Sequence, residues 1–148
     1  MKKLRFLIIL FIGSHFLQAE SLTSPDNNFN LTFNLSEKGE PVYSLTYKQK
    51  VLIKPSGMGF ELLNSAPMKS GFTLQKTERK TVDDTWKPVW GEVKEIRDNY
   101  NELLVVLDQK KEKRTVKIRF RLFNDGLGFR YEFDKQPKIG RASCRERV

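Results

Sequence analysis

The 148-residue sequence is almost devoid of the side chains that most often carry out chemistry, with one cysteine and one histidine. His15 lies in an N-terminal apolar segment and Cys144 lies close to the C-terminal residue, so residues 20–138 contain neither type. Without a second cysteine, no disulfide can form within the chain. Zinc sites of the Cys/His type and Ser-His or Cys-His nucleophilic centres are also excluded from residues 20–138.

The sequence also lacks a helical hydrophobic period after its first 19 residues, an internal repeat and a concentrated basic segment. Its formal net charge is +9, from 27 basic and 18 acidic residues. Three basic residues lie in the first 19 positions, and three basic residues and one acidic residue lie in the last ten. The residues between these two segments therefore carry a formal net charge of +4. The remaining basic residues are spread along alternating segments, so the charge pattern does not favour nucleic-acid binding.

The first 19 residues have the features of a signal peptide. Lys2, Lys3 and Arg5 precede an apolar stretch that ends at Gly13, and Ala19 provides the small residue expected before a cleavage site. The apolar stretch is short for a bilayer span, although an uncleaved membrane anchor is the alternative. We therefore expect an exported protein, periplasmic or secreted, without stable membrane insertion after cleavage of the leader.

The last ten residues, 139–148, read Ile-Gly-Arg-Ala-Ser-Cys-Arg-Glu-Arg-Val and show neither hydrophobic periodicity nor turn signals. They resemble the in-frame translation of a common sequencing-library adapter. We expect this tail to be an artefact and leave it out of the fold prediction. Residues 20–138 are then expected to form one truncated domain.

Short segments of alternating apolar and polar residues dominate this domain. Phe29, Leu31, Phe33 and Leu35 alternate with polar residues, and residues 43–47 and 58–62 follow the same rule. Turn signals separate these segments, whereas residues 103–107 are apolar throughout, as is typical of a central strand covered on both faces. Roughly eight to ten short strands at this spacing predict an all-β fold, an antiparallel β-sandwich.

The segment from Arg119 to Phe133 is predicted to form a β-hairpin. Asp125-Gly126 is a strong signal for a two-residue type I′ turn. That turn predicts an apolar face on which Leu122 pairs with Phe129, Phe120 with Tyr131 and Ile118 with Phe133. On the opposite face it pairs Arg119 with Glu132, Phe123 with Gly128 and Arg121 with Arg130. The like-charged pair argues against this register, and a slip of two residues would leave both faces unchanged.

Two tryptophans are the candidate carbohydrate contacts. Trp86 and Trp90 lie in a proline-containing segment, residues 81–91, that is predicted to be irregular. Exposed tryptophan rings present a flat apolar surface that matches one face of a sugar ring. The alternative is that both rings plug the open end of the sandwich.

The carboxylates provide no predicted reaction centre. Asp83-Asp84 is a candidate Ca²⁺ ligand pair, but adjacent residues of an extended chain point to opposite faces, which favours a solvated turn. Asp125 is a candidate acid or base, but its position beside Gly126 favours a turn role. Three further glutamates, at positions 61, 92 and 102, are scattered along the sequence. We therefore predict no catalytic and no metal-binding residue in this domain.

Three segments are more distinctive than a generic strand pattern. They are Thr-Trp-Lys-Pro-Val-Trp-Gly-Glu at 85–92, Asn-Tyr-Asn-Glu-Leu at 99–103 and Phe-Arg-Leu-Phe-Asn-Asp-Gly-Leu-Gly-Phe-Arg-Tyr-Glu-Phe at 120–133. Together with residues 22–28, 43–47, 51–56 and 59–62, they resemble the N-terminal domain of glycoside hydrolase family 97. The resemblance covers nearly all of residues 21–137 and is close to the periplasmic α-glucosidase of Bacteroides-type starch-utilisation systems.

The resemblance implies an incomplete β-super-sandwich, galactose-mutarotase-like, that packs in the full-length protein against a catalytic (β/α)₈ barrel. It implies hydrolysis of α-glucosidic or α-galactosidic linkages by paired carboxylates and an active-site Ca²⁺ held mainly by glutamates. In the family these groups belong to the barrel or to a segment beyond the matching residues. No catalytic residue and no Ca²⁺ ligand therefore carries over to this sequence.

Two functional hypotheses follow. The first is the N-terminal, non-catalytic fragment of a secreted, Ca²⁺-dependent α-glycosidase that acts on α-linked oligosaccharides. The alternative is a stand-alone exported carbohydrate-binding β-sandwich that uses Trp86 and Trp90. An adhesin-like structural domain has no feature in its favour beyond the strands.

Overall fold

The computed structural model describes residues 19–63 and 65–134, which form ten strands and one short 3₁₀ helix. The expected leader, apart from Ala19, and the expected artefact tail lie outside the described residues. The strands are β1 (Glu20–Thr23), β2 (Phe29–Leu35), β3 (Pro41–Tyr47), β4 (Lys50–Gly57), β5 (Phe60–Leu62), β6 (Ser65–Met68), β7 (Thr73–Trp86), β8 (Ile96–Gln109), β9 (Arg114–Phe123) and β10 (Leu127–Glu132). The 3₁₀ helix, Lys110–Glu112, lies in the charged connection between β8 and β9.

Two four-stranded antiparallel sheets form the body of the domain, as predicted. The first sheet has the order β1-β2-β3-β4 and the second has the order β10-β9-β8-β7. Strands β5 and β6 form a separate hairpin. The described residues contain no helix long and apolar enough to cross a membrane.

The core lies between the two sheets, because each inner face collects the apolar residues of an alternating pattern. Leu31 and Phe33 of β2 are almost fully buried, as are Ile118 and Phe120 of β9. The Phe33 and Phe120 rings meet across the sandwich with centroids 5.8 Å apart. The sequence pattern thus correctly identified the inner face of both sheets.

Strand β8 is buried on both faces, which confirms the prediction from its continuous apolar run. Leu103, Val105 and Leu107 belong to the core, while Leu104 and Val106 point to the outer face of the second sheet and are also buried. Long charged side chains of the neighbouring strands surround Leu104, among them Glu78 and Arg119. Their aliphatic stems cover apolar surface while their charged ends stay near solvent.

Strands β7 and β8 are 14 residues each and continue beyond the sandwich as a two-stranded arm, residues 83–99. The predicted irregular segment 81–91 and the predicted turn at 99–102 are therefore wrong over most of their length. An ion pair between the Asp83 carboxylate and the Arg97 guanidinium at 2.7 Å links the two strands of the arm, and at its base the Thr81 hydroxyl donates to the Asn101 side chain at 2.8 Å. Four residue pairs, from Asp83–Asn99 to Trp86–Ile96, make the paired part of the arm about 13 Å long.

The β9–β10 hairpin has the predicted faces but a register that is shifted by two residues. Leu122 pairs with Leu127 and Ile118 pairs with Tyr131. Neither Asp125 nor Gly126 is among the described residues with positive φ, so the predicted type I′ turn is wrong. A connection centred on Asn124 and Asp125 replaces it, closed by a hydrogen bond from the Phe123 amide to the Gly126 carbonyl at 2.8 Å.

Packing against the first sheet accounts for the observed register. It places Phe129 opposite Phe120, with ring centroids 6.0 Å apart, and brings Phe129 within 5.8 Å of the Tyr43 ring of β3. It also places Gly128, rather than Arg130, opposite Arg121. Arg130 lies opposite Arg119 instead, so a like-charged pair remains, and both arginines bond the Glu132 carboxylate.

The β5–β6 hairpin covers one end of the core and is held by buried polar side chains. Arg114 is 1% exposed and donates from Nη2 to the Ala66 carbonyl at 3.0 Å. Gln109 donates from Nε2 to the Pro67 and Ser70 carbonyls at 3.2 and 2.9 Å. These bonds satisfy backbone acceptors that would otherwise be buried without partners.

Candidate functional site

Both tryptophans lie on the arm, away from the core. Trp86 ends β7 and is 50% exposed, and Trp90 lies in the tip and is 88% exposed. Lys87 and Glu95 join the two sides of the tip through an ion pair at 3.3 Å. The interpretation that the tryptophans plug the sandwich is therefore wrong, because the strand pairing continues through Trp86 and carries both rings outward.

The structure does not combine the candidate carboxylates into a site. Asp83 is paired with Arg97, and the hydrogen bond from Arg97 lowers the pKa of that carboxyl group. Asp84 accepts a hydrogen bond from the Thr85 amide at 2.8 Å. The two aspartates occupy successive positions of β7, not the solvated turn that was expected, and their side chains point to opposite faces. Asp125 lies in the connection between β9 and β10.

The densest group of charges lies on the outer face of the second sheet. Glu102 of β8 is 6% exposed and accepts hydrogen bonds from the Arg119 Nη1 and, at 2.9 Å, from the Arg121 Nε. Glu132 of β10 accepts from the Nε atoms of Arg119 and Arg130, both at 2.7 Å. Arginines and glutamates therefore alternate across three neighbouring strands.

Charge pairing fixes the ionisation of this network. The hydrogen bonds from Arg119, and then those from Arg130, lower the pKa of the Glu132 carboxyl group to about 2. The same contacts raise the pKa of the Arg119 guanidinium above its already high ordinary value. Because Glu132 is ionised at neutral pH, it cannot act as a general acid there. The chemistry that this face offers is recognition by fixed charges and hydrogen-bond donors.

A small cleft opens beside the network. We call it the arginine cleft; its volume is about 190 Å³ and its lining residues are Arg119, Arg121, Phe123, Gly128, Phe129 and Arg130. The Arg121 guanidinium lies 4.6 Å from the centroid of the Tyr100 ring, and that ring packs at 5.0 Å against Phe123. Gly128 has no atom within 4 Å of the position that a side-chain carbon would take, so the space above it is open.

Sequence reasoning found half of this network. The pairing of Arg119 with Glu132 was expected, and the structure forms that ion pair diagonally instead of directly across the strands. Glu102 was dismissed as one of the scattered glutamates, and the cleft was not foreseen. Counting outward from the charged connection at Lys110–Glu112 would have placed Glu102 opposite Arg121. That signal was present in the sequence, but it depends on the β8–β9 register.

The described residues do not fit a Ca²⁺ site. They contain no group of three or more Asp, Glu, His or Cys side chains placed to hold a metal ion, whereas Ca²⁺ takes about six to eight oxygen ligands. The glutamates of the outer face are occupied by arginines instead.

Comparison with known proteins extends the evidence from the fold. The family model for the N-terminal region of glycosyl hydrolase family 97 matches residues 22–145. A retaining α-galactosidase of Bacteroides thetaiotaomicron is 29% identical over 134 residues, which is 88% of this chain and 19% of that protein.

Solved structures show the same fold. A family 97 glycoside hydrolase from Pseudoalteromonas sp. strain K8, solved in complexes with panose and with acarbose, matches with a TM-score of 0.74 and 32% identity. The match covers 80% of this chain and 18% of that one. A β-arabinopyranosidase matches with a TM-score of 0.71 at 21% identity, which shows a shared fold.

This chain therefore spans about a fifth of the length of the relatives that it matches. The family model covers most of the sequence, and the β-sandwich agrees with the solved structures. The chain belongs to glycoside hydrolase family 97, as the N-terminal domain of that family.

Proposed function

We propose that this chain is the non-catalytic N-terminal domain of an exported, Ca²⁺-dependent α-glycosidase that acts on α-linked oligosaccharides. In this role the sandwich is a scaffold that packs against a (β/α)₈ catalytic barrel. The observation that carries the proposal is the match of nearly the whole chain to about a fifth of family 97 enzymes. The panose and acarbose complexes of the Pseudoalteromonas relative support an oligosaccharide substrate.

The division of labour in this proposal has a chemical reason. Glycoside hydrolysis uses two carboxyl groups about 5 to 10 Å apart, one of which commonly has a raised pKa. On the outer face, Glu132 has a lowered pKa, and Glu102 bonds two arginines. These glutamates are therefore suited to holding a surface together, and the acid and the second carboxylate would come from the barrel.

The test uses the genomic reading frame that contains this sequence. We expect it to continue into a barrel, and we expect the full-length product to hydrolyse p-nitrophenyl α-glucoside or α-galactoside. Chelation by EGTA should remove the activity and added Ca²⁺ should restore it. The chain itself should show no hydrolysis. A stop codon soon after residue 138, without a barrel downstream, would overturn the proposal.

The exposure of the arm tryptophans favours a second candidate, a stand-alone carbohydrate-binding module. Trp90 and Trp86 are largely solvent-accessible, as stacking on a sugar ring requires. Calorimetry with maltooligosaccharides would then give saturable heat that is lost in Trp86→Ala and Trp90→Ala. Val89→Ala is the matched control, because Val89 is fully exposed in the same tip. The absence of binding heat for the unmodified chain would exclude this candidate.

A further inference from the structure

We propose that the arginine cleft is a carboxylate-binding site, in which one carboxylate lies between Arg121 and Arg130 above Gly128. The two arginines belong to neighbouring strands and face the same side of the second sheet. In the register of β9 and β10, Gly128 lies directly opposite Arg121, and Arg130 is the diagonal neighbour of Arg121. Diagonal neighbours are separated by roughly 7–8 Å, which leaves room for one carboxylate between two guanidinium groups.

The three arginines of the cleft differ in the donors that they leave available. Arg119 uses Nε, Nη1 and Nη2 to bond Glu132 and Glu102. Arg121 and Arg130 each bond a glutamate through Nε alone. In the described part of the chain, their terminal Nη atoms have no hydrogen-bond partner, and each guanidinium carries five N–H donors in a fixed plane. Binding a carboxylate would therefore break no existing bond.

Both guanidinium groups are held in position before any ligand arrives. The Nε bond to buried Glu102 and the contact with the Tyr100 ring orient Arg121. The Nε bond to Glu132, which Arg119 also holds, orients Arg130. Ordering these side chains in advance lowers the entropic cost of binding. Planar, bidentate hydrogen bonding of a carboxylate is the interaction for which arginine is best suited.

Charge and size define the ligand further. Three arginines surround two glutamates in this network, so its net charge is positive. The cleft volume of about 190 Å³ is below the roughly 300–1,000 Å³ of typical small-molecule pockets. The cleft therefore suits a carboxylate group or a small acid and is too small for an oligosaccharide. Two sources present such a carboxylate: a free acid, and an Asp or Glu side chain of a polypeptide.

The test is a titration of the full chain with sodium acetate, followed by ¹⁵N NMR at constant ionic strength, with sodium chloride as the balancing salt. We expect saturable chemical-shift changes for the backbone amides at positions 121, 128 and 130. The side-chain Nε–H groups of Arg121 and Arg130 should shift as well. Arg121→Gln and Arg130→Gln should each weaken binding at least tenfold. Arg97→Gln removes the same charge from the arm and should leave binding unchanged.

Gly128→Val separates a built cleft from general basic charge. The substitution alters no charge. Gly128 lies in a strand, has open space above it and has a φ outside the left-handed region. Valine fits this position because it is favoured in strands. The variant should retain the melting temperature of the parent and lose acetate binding. Unsaturable shifts in the parent, or equal binding by Gly128→Val, would overturn the proposal.

Three further ligands identify the anion and its source. Methanesulfonate carries the same single charge with a tetrahedral head, and equally tight binding of it would overturn the carboxylate assignment. Glucuronate and an N-acetylated, C-amidated aspartate present the same group as a free sugar acid and as a side chain. Tighter binding of the first supports a free acid, and tighter binding of the second supports a polypeptide carboxylate.

Discussion

At the scale of single residues, Arg119 organises the outer face of the second sheet. It bonds Glu102 on one neighbouring strand and Glu132 on the other, and its side chain is 22% exposed. Exposed ion pairs contribute little to stability, but partly buried and multiply hydrogen-bonded pairs contribute more. Removing a charge from this network should therefore lower the free energy of unfolding more than removing one from an exposed ion pair.

Glu132 should make stability dependent on pH. Its folded-state pKa of about 2 lies below the ordinary glutamate value of 4.5, so its contribution is complete above pH 4.5 and is lost as the pH falls towards 2. Glu132→Gln should lower the free energy of unfolding at pH 7 by roughly 1 kcal/mol after allowance for solvent screening. It should also flatten the decline between pH 4.5 and 2, measured by urea unfolding at several pH values. Glu92→Gln on the exposed arm is the control, and an unchanged slope in Glu132→Gln would contradict the assignment.

At the scale of elements, the loops are fixed by close backbone contacts. The turn around Gly39 packs on the loop at Gly71: the Gly71 amide donates to the Lys38 carbonyl at 2.9 Å, and the Phe72 amide donates to the Gly39 carbonyl at 3.0 Å. The turn between β2 and β3 is thereby attached to the start of β7. This contact joins the ends of the two sheets through main-chain atoms.

A pair of glycine substitutions should separate backbone conformation from close packing. Gly39 and Gly71 have similar positive φ values, 68° and 74°. A side-chain carbon at Gly39 would lie 2.4 Å from the Phe72 carbonyl oxygen, whereas one at Gly71 meets nothing within 4 Å. Gly71→Ala should therefore cost about 1 kcal/mol from the left-handed conformation, and Gly39→Ala should cost clearly more. Urea denaturation of both variants measures the difference, and equal costs would contradict the close contact.

The arm and the core should respond differently to the loss of an aromatic ring. Trp90→Ala should change the free energy of unfolding by less than about 0.5 kcal/mol, because its ring is 88% exposed. Phe120→Ala should cost about 3–5 kcal/mol, because its ring is fully buried between the sheets. Thermal unfolding followed by circular dichroism distinguishes the two. A large loss for Trp90→Ala would show that the arm folds back on the sandwich.

At the scale of the whole domain, the two sides of the sandwich differ. On one side, β1 is fixed to β7 by the Arg79–Glu20 ion pair at 2.6 Å, and Asn101 donates to the Thr23 carbonyl at 2.8 Å. On the other side, β4 and β10 are edge strands of the described sheets, and Phe129 of β10 is 45% exposed. Exposed edges with apolar side chains promote association.

The chain in solution should therefore associate through the β10 edge. Light scattering should show a weight-average mass that rises with concentration, in place of a single monomeric species. Phe133→Lys should reduce this association, because Phe133 is exposed just past β10 and charge on an edge opposes strand addition. Trp90→Lys places the same charge on the arm and should have little effect. A monomeric chain with one cooperative melt would contradict the prediction.

The amino-acid sequence by itself determined the all-β class, the inner face of each sheet and the doubly buried central strand. These properties depend on alternation over a few neighbouring residues, which is a local pattern. The segments 85–92, 99–103 and 120–133, taken together with shorter matching stretches, also indicated the family. The predicted leader and tail rest on sequence alone and stay predictions.

Only the tertiary structure decided the hairpin register, the arm and the arginine cleft. The register follows from the packing of Phe129 on Tyr43, which are 86 positions apart in the chain. The arm exists because cross-strand pairs such as Asp83–Arg97 extend the β7–β8 pairing past the core. The cleft requires Glu102, Arg121 and Arg130 from three different strands. A sequence shows which side chains share a face, but strand pairing decides which of them meet.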